Sequence, residues 1–381
     1  MGRTPFDIAD IVRLHRDALA GVQPLSSEQG RALSAITLCR TAALGGHWNY
    51  CFECGWEEEG PSYNSCRNRN CPKCQALAQE RWIAARARAI LPLDHYHGVL
   101  TVPEDLRPLA RQVSREFYGA MFRCASAAVL ELAETRLGVR LGLTLVLHTW
   151  TRDLRYHPHV HILITAGGLT LDGKAFKRIR RKVLLHVKPL AKLFRGKLMD
   201  ALRQMKRDGI ISMSDGAFGT LMATLKAQDW VAYLKRTFHG PMGTLQYLGR
   251  YTHRVGIANS RLLDVTERQV TFRTKDGRSV SLHPVAFLQR FVQHVLPDRF
   301  KKIRHAGLYA STHALARARE LLDAQPLPAP PAPSWQQYLF ALTGRDVARC
   351  PKCGERVSRR DLAPTGACVR LHKDRRPRSP P

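Results

Sequence analysis

Apolar positions along the chain fall into helical and strand-like runs in a recognisable order. Ile8, Ile11, Val12 and Leu14 recur at helical intervals, as do Leu33, Ile36, Leu38 and Cys39. Ser26-Ser27-Glu28-Gln29 has the character of a capped start for the second of these helices. Packing and a binding surface are both open roles for this pair. A helix rich in Ala and Arg is expected over Gln75–Ile90, ended by Pro92, and a buried strand over Val99–Val102. A long helix is expected over Leu106–Arg136. Two apolar strands joined by a polar turn follow within Leu143–Thr165, ending at Ala166-Gly167-Gly168.

Val183, Leu184, Leu190, Leu193, Phe194, Leu198, Met199 and Leu202 then mark an amphipathic helix with a basic outer face in the segment Lys174–Arg207. His239-Gly240-Pro241 breaks the next stretch, and Met242–His253 reads as a helix with Tyr247 and Tyr251 on one face. Residues 261–284 alternate as a hairpin around Asp276-Gly277. Helices are expected over Phe287–Leu296 and Ser311–Leu322, with a basic segment, 299–310, between them. Gln325–Ser334 is a Pro/Ala linker, and Trp335–Leu342 is a short apolar element.

The two-strand stretch carries four histidines, His148, His157, His159 and His161. His159 and His161 flank one residue, so strand periodicity points both imidazoles at one face of a sheet. That is the start of a metal site, with His148 on the preceding strand. Elsewhere, Cys51-x2-Cys54 and Cys71-x2-Cys74 are separated by 16 residues, the pattern of a paired-knuckle Zn2+ site. Cys66 and His47 are further ligand types nearby. Cys350-x2-Cys353, followed by Cys368 and His372, suggests a second zinc site. Clustering of cysteines as CxxC pairs favours metal binding over disulfides.

Charge narrows the partner. Sixty Lys and Arg against 31 Asp and Glu give a formal charge of +29, which calls for a polyanion, nucleic acid first. No apolar run approaches the length of a membrane span, so no membrane partner is expected. The opening residues lack the order of a signal peptide, so a cytoplasmic location is expected. Arg67, Arg69 and Lys73 around the second knuckle, Arg178, Arg180 and Arg181 in the basic segment, and Arg250 are candidate DNA contacts. A merely solvated charged face is the plain alternative for the basic segment.

The segments SCRNRNCPKCQ at 65–75, LHTWTRDLRYHPHVHILIT at 147–165, LFRGKL at 193–198, YLGRYTHRVGI at 247–257 and FKKIRHAGLYA at 300–310 together resemble the rolling-circle insertion-sequence transposases of the two-tyrosine HUH type, the IS-ninety-one type. The likeness spans roughly residues 35–312, in the family's order. Asn70 departs from it, standing where the family has a His. The resemblance implies an α+β chain: an HUH endonuclease fold, an antiparallel sheet flanked by helices, with a separate N-terminal zinc-binding module. It implies cleavage and rejoining of single-stranded DNA at transposon ends, and joining to target DNA, through a 5′-phosphotyrosine formed by Tyr247 or Tyr251. It also implies Mg2+ or Mn2+ on His159 and His161, with His148 as third ligand by its spacing of eleven and thirteen residues, and His157 ranked behind it. A prokaryotic, nucleoid-associated enzyme follows.

Consecutive domains are expected: a helical lead and zinc module over 1–90, a catalytic domain over 91–265, an extension over 266–324, a linker over 325–334 and a basic tail over 335–381. A replication initiator or relaxase with the same chemistry is the nearest alternative. A non-catalytic zinc-ribbon protein that binds nucleic acid is the alternative from another class.

Overall fold

The structure, a computed structural model, describes residues 6–180, 182–236, 256–274, 276–324 and 333–365, together with Gly243, Gln246 and Gly249. The expectations placed on Arg181, Tyr247, Arg250, Tyr251, Cys368 and His372 lie outside the described residues. Those residues form an α+β architecture of antiparallel sheets and helices, with strands β1 (Gly46–Tyr50), β2 (Ser62–Tyr63), β3 (His95–Thr101), β4 (Val139–Trp150), β5 (Tyr156–Thr170), β6 (Phe176–Arg178), β7 (Ala232–Arg236), β8 (Leu262–Val265), β9 (Val270–Arg273), β10 (Ser279–Leu282), β11 (Ile303–Gly307) and β12 (Ser358–Leu362).

Packing divides the chain into two units, each discontinuous in sequence. The first comprises Met1–Glu80, Ile257–Val295 and Ala332–Pro381; the second comprises Arg81–Gly256 and Leu296–Pro331. In the first unit, helix Ile8–Val22 packs on helices Ser27–Leu38 and Pro284–Val292. Asp7 caps the first helix by accepting from Ala9 N, and its carboxylate also pairs with Lys73. Ser26 and Gln29 form the reciprocal capping box that the sequence suggests, an arrangement that contributes about 1 kcal/mol. One three-stranded sheet has the order β12-β1-β2, and another has the order β10-β9-β8. Strand β12, unforeseen from sequence, ties residues near 360 to β1.

The second unit is built on a six-stranded sheet with the order β11-β4-β5-β3-β7, and β6 adds to β5. Its two faces differ in chemistry. Leu143, Leu145 and Leu147 of β4, with Val160, Ile162 and Ile164 of β5, form the apolar face. Helix Ser114–Leu137 packs on β4 and against helix Val187–Arg207. The second of these helices buries Leu190, Phe194, Leu198, Leu202 and Met205, so its stripe is the amphipathic one expected. It starts at Val187, however, because β6 occupies part of the basic segment read as helical. The long helix expected over 106–136 is broken at Val113, whose backbone (φ −121, ψ 49) leaves the helical region.

The opposite face carries Thr144 and His148 of β4, His159 and His161 of β5, His95 and His97 of β3, and His305 of β11. Such a face needs polar partners once buried. Arg86 donates to His305 Nε2 (2.6 Å), and His305 Nδ1 in turn reaches Thr144 Oγ1 (3.0 Å). His95 Nε2 lies 2.7 Å from the Tyr309 hydroxyl.

Gly307 ends β11 in a left-handed conformation (φ +59), and a Cβ there would sit 1.9 Å from the Leu141 carbonyl oxygen. Gly307→Ala should therefore destabilise the fold by about 2–4 kcal/mol in denaturant unfolding; an unchanged midpoint would show that the backbone yields there. Burial lowers the pKa of His95 to about 4, and burial followed by the charge of Arg86 does the same to His305. Both values lie below the ordinary imidazole value of about 6.5. The unfolded chain then binds more protons between about pH 6.5 and 4, so stability is full above that window and falls as pH drops through it. Melting temperatures recorded from pH 7 to 4 should decline, and a flat profile would contradict this reading.

Candidate metal centre and thiol clusters

Register places three imidazoles together. His148 on β4 pairs directly with His159 on β5, and directly paired residues of an antiparallel ladder point to the same face. His161 follows two residues later, on that face. Potential ligand nitrogens of the three rings all lie within 4.8 Å of one another. Ring centroids are 5.5 Å apart for His148–His159, 4.4 Å for His148–His161 and 5.0 Å for His159–His161. His148 also stacks on Trp150 at 4.6 Å, which restricts its ring.

Neighbouring groups orient these rings. His159 Nδ1 donates to the His157 carbonyl (2.8 Å), leaving Nε2 with its lone pair. His161 Nδ1 faces His97 Nε2 at 2.8 Å, a contact that orients the His161 ring. Burial holds the pKa of His159 and of His97 at about 4, so both are neutral at pH 7. Neutral imidazole is the ligating form. His157 is arranged differently. Arg107 donates to its Nδ1 (3.2 Å), and that tautomer leaves Nε2 protonated, with no lone pair for an ion. His157 lies outside the cluster of three. The donor set of three imidazoles suits a divalent cation of borderline character.

His97 is the residue that the sequence reading passed over. The strand expected over Val99–Val102 begins instead at His95, and its alternation puts His97 on the histidine face, diagonal to His161. The HxH spacing at 95 and 97, repeated at 157–159 and 159–161, was the available signal.

The thiols gather into two groups whose membership differs from the expected one. Cys71 and Cys74 do not share a cluster with Cys51 and Cys54; they meet Cys39 and Cys66. Cys51 and Cys54 meet Cys350 and Cys353. The physical reason is topological: Cys39 ends helix Ser27–Leu38 beside the second knuckle, whereas β12 carries the C-terminal CxxC to the first. Sulfur separations are 3.5 Å for Cys39–Cys74, 3.7 Å for Cys66–Cys74, 3.5 Å for Cys51–Cys353 and 3.6 Å for Cys54–Cys350. These are far too long for a disulfide and close to the edge of about 3.8 Å of a tetrahedron with Zn–S bonds of about 2.3 Å. Crowding also polarises the first group. Contact with Cys66 lowers the Cys39 thiol to about 7, and contact with Cys39 drives Cys74 down and Cys71 up. Four converging sulfurs cannot all keep their protons comfortably. Both clusters support structural Zn2+.

The Asn70 backbone N–H donates to Asn68 Oδ1 (2.8 Å), and its side-chain amide donates to the same oxygen (3.2 Å), which stiffens the turn before Cys71. His47 lies in no thiol cluster and faces Trp335, with ring centroids 6.5 Å apart. Of the candidate DNA contacts, Arg67, Arg69, Arg178 and Arg180 are exposed, whereas the Lys73 ammonium is engaged by Asp7.

Because His97 fixes the ring of His161, His97→Ala should weaken Mn2+ affinity about 10- to 100-fold in titration calorimetry while the chain stays folded. Unchanged affinity would remove His97 from the site.

Comparison with known proteins agrees with both halves of this description. A family model described as a transposase zinc-binding domain matches residues 11–102, and one described as "Putative transposase" matches residues 142–316. The chain is 37% identical over 377 residues to "Putative transposase y4qJ" of Sinorhizobium fredii (strain NBRC 101917 / NGR234), covering 93% of this chain and 94% of that protein. It is 28% identical over 311 residues to the transposase for insertion sequence element IS801 of Pseudomonas savastanoi pv. phaseolicola, covering 77% of this chain and 74% of that one. No solved structure matches the chain. Among the described residues, no helix is long and apolar enough to cross a membrane. The chain belongs to the IS91-type transposases that carry an N-terminal zinc-binding domain.

Proposed function

We propose that this transposase cleaves and rejoins single-stranded DNA at transposon ends, with a tyrosine as nucleophile and Mg2+ or Mn2+ held by His148, His159 and His161. The observation that carries the reading is the convergence of these three imidazoles on one face of the central sheet. A bound divalent cation would polarise the scissile phosphate and offset charge that develops in its transition state.

The chain supplies the remainder. The phenol of Tyr247 or Tyr251 loses its proton and attacks the phosphorus. The P–O3′ bond breaks, and the departing oxygen takes up a proton as a free 3′-OH. The 5′ phosphate stays on the tyrosine as an ester, so the energy of the broken phosphodiester is kept for rejoining. Attack of a 3′-OH on that ester restores a phosphodiester and frees the phenol. Two tyrosines four residues apart would allow a second cleavage while the first remains esterified. Exposed Arg67, Arg69, Arg178 and Arg180 would track phosphates. The formal charge of +29 favours such contacts at low salt.

Labelled single-stranded oligonucleotides spanning candidate ends, incubated with Mn2+, provide the test. A covalent adduct should form with the unaltered chain and vanish in the Tyr247→Phe/Tyr251→Phe double variant. His159→Ala and His161→Ala should each slow cleavage by about 100-fold or more. Binding of the same oligonucleotides should weaken steeply as salt rises. An adduct that persists without both tyrosines would point to a different nucleophile. Binding without cleavage by the unaltered chain, under all metal conditions, would favour the non-catalytic zinc-ribbon reading.

A further inference from the structure

The second thiol cluster is assembled from segments about 300 residues apart in sequence, and its two halves are built alike. YCFECGWEE at 50–58 and RCPKCGERV at 349–357 share the order Cys-x2-Cys-Gly. In each, the amide of the first cysteine donates to a carbonyl five residues on: Cys51 N to Trp56 O and Cys350 N to Glu355 O, both at 2.7 Å. Each glycine takes the left-handed conformation that closes the turn, Gly55 at φ +63 and Gly354 at φ +81. Each turn is bridged by the same offset, Tyr50 with Glu57 and Arg349 with Arg356. These are two CxxCG turns of one construction, their thiols facing one another. Their strands continue the match, since β1 and β12 pair antiparallel from Gly46–Leu362 to Tyr50–Ser358.

What holds the C-terminal half in place is not an apolar core. Cys350 is the one buried residue in 333–365, and helix Trp335–Thr343 buries none. Phe340 and Leu342 are exposed. Trp335 has the Arg359 guanidinium over its ring (4.7 Å) and His47 at its side. Arg359 Nε also donates to Asn49 Oδ1 (3.2 Å). A five-residue strand pair with so little burial is marginal in water. Small modules of this kind draw their stability from a metal.

We propose that Cys51, Cys54, Cys350 and Cys353 hold a second Zn2+, completing a zinc ribbon whose two knuckles come from opposite ends of the chain. The ion clamps residues 333–365 onto the N-terminal zinc-binding module. The four thiols lose their protons on binding, and the ion takes four thiolates as a closed tetrahedron with no position left for water. Cys350 and Cys353 lie beyond the residues that either family model spans. The N-terminal module of this chain is therefore completed by residues outside the matched zinc-binding domain, and loss of the C-terminal segment opens it.

Zinc content and hydrogen exchange of the full chain test this. The unaltered protein should carry two thiolate-bound Zn2+ per chain, and Cys350→Ser/Cys353→Ser should carry one, kept by Cys39, Cys66, Cys71 and Cys74. That retained ion reports that the rest of the module still folds. In the same variant, amides of Ser358–Leu362 should lose protection while those of β3, β4 and β5 keep theirs. Cys51→Ser/Cys54→Ser should give the same pattern. Two ions or none in the double variants, or unchanged protection of Ser358–Leu362, would overturn the proposal. Titration of the metal-free, unaltered chain with Co2+ decides the stoichiometry without substitution. Two equivalents should develop tetrathiolate absorption, and saturation at one would overturn the second site.

Discussion

The antiparallel register between β4 and β5 is the constraint on which the candidate centre depends. His148 stands opposite His159 because Leu143 stands opposite Ile164, and each step between them keeps one face apolar. A slip of one residue would turn the imidazoles toward the helices and the leucines onto the histidine face. Burying the apolar face under helices Ser114–Leu137 and Val187–Arg207 therefore fixes the position of the histidines as well as the stability of the sheet. The polar face has its own network, in which His305 bridges Arg86 and Thr144.

The thiol clusters and the proposed imidazole site would divide the work by ligand chemistry. Thiolate tetrads bind Zn2+ in closed tetrahedra and serve structure, whereas three imidazoles leave coordination positions for a substrate oxygen. Neutral rings are needed for the second role. Burial provides them, holding the pKa of His159 at about 4. The His157 carbonyl and the His97 ring then orient the rings of His159 and His161. His157 thus serves the centre through its backbone, while its ring faces Arg107.

Much of this was legible in the sequence, and what was not has a physical explanation. Period-2 alternation exposed the HVH pair, and the capping box at Ser26 and Gln29 marked a helix start that the structure reproduces. His97 was missed because β3 is buried on both faces, so its run of HYHGVLT shows no clean alternation. Cys39 was counted as an apolar helix residue, which its burial justifies, although its position at the helix end brings it into a cluster with Cys66, Cys71 and Cys74. The thiol partnerships were beyond sequence altogether. A CxxC turn encodes one knuckle, but which knuckles meet is decided by β12 pairing with β1 across about 300 residues. Edge strands β7 and β11 were hidden by polar, basic composition, the common character of exposed sheet edges.

The central claim is that one divalent cation sits among His148, His159 and His161. Crystals of the full chain containing Mn2+, measured at the manganese absorption edge, test it most directly. An anomalous peak in contact with all three imidazoles, with open positions facing solvent or bound oligonucleotide, is the predicted result. A manganese peak elsewhere, with these three rings uncoordinated, would contradict it.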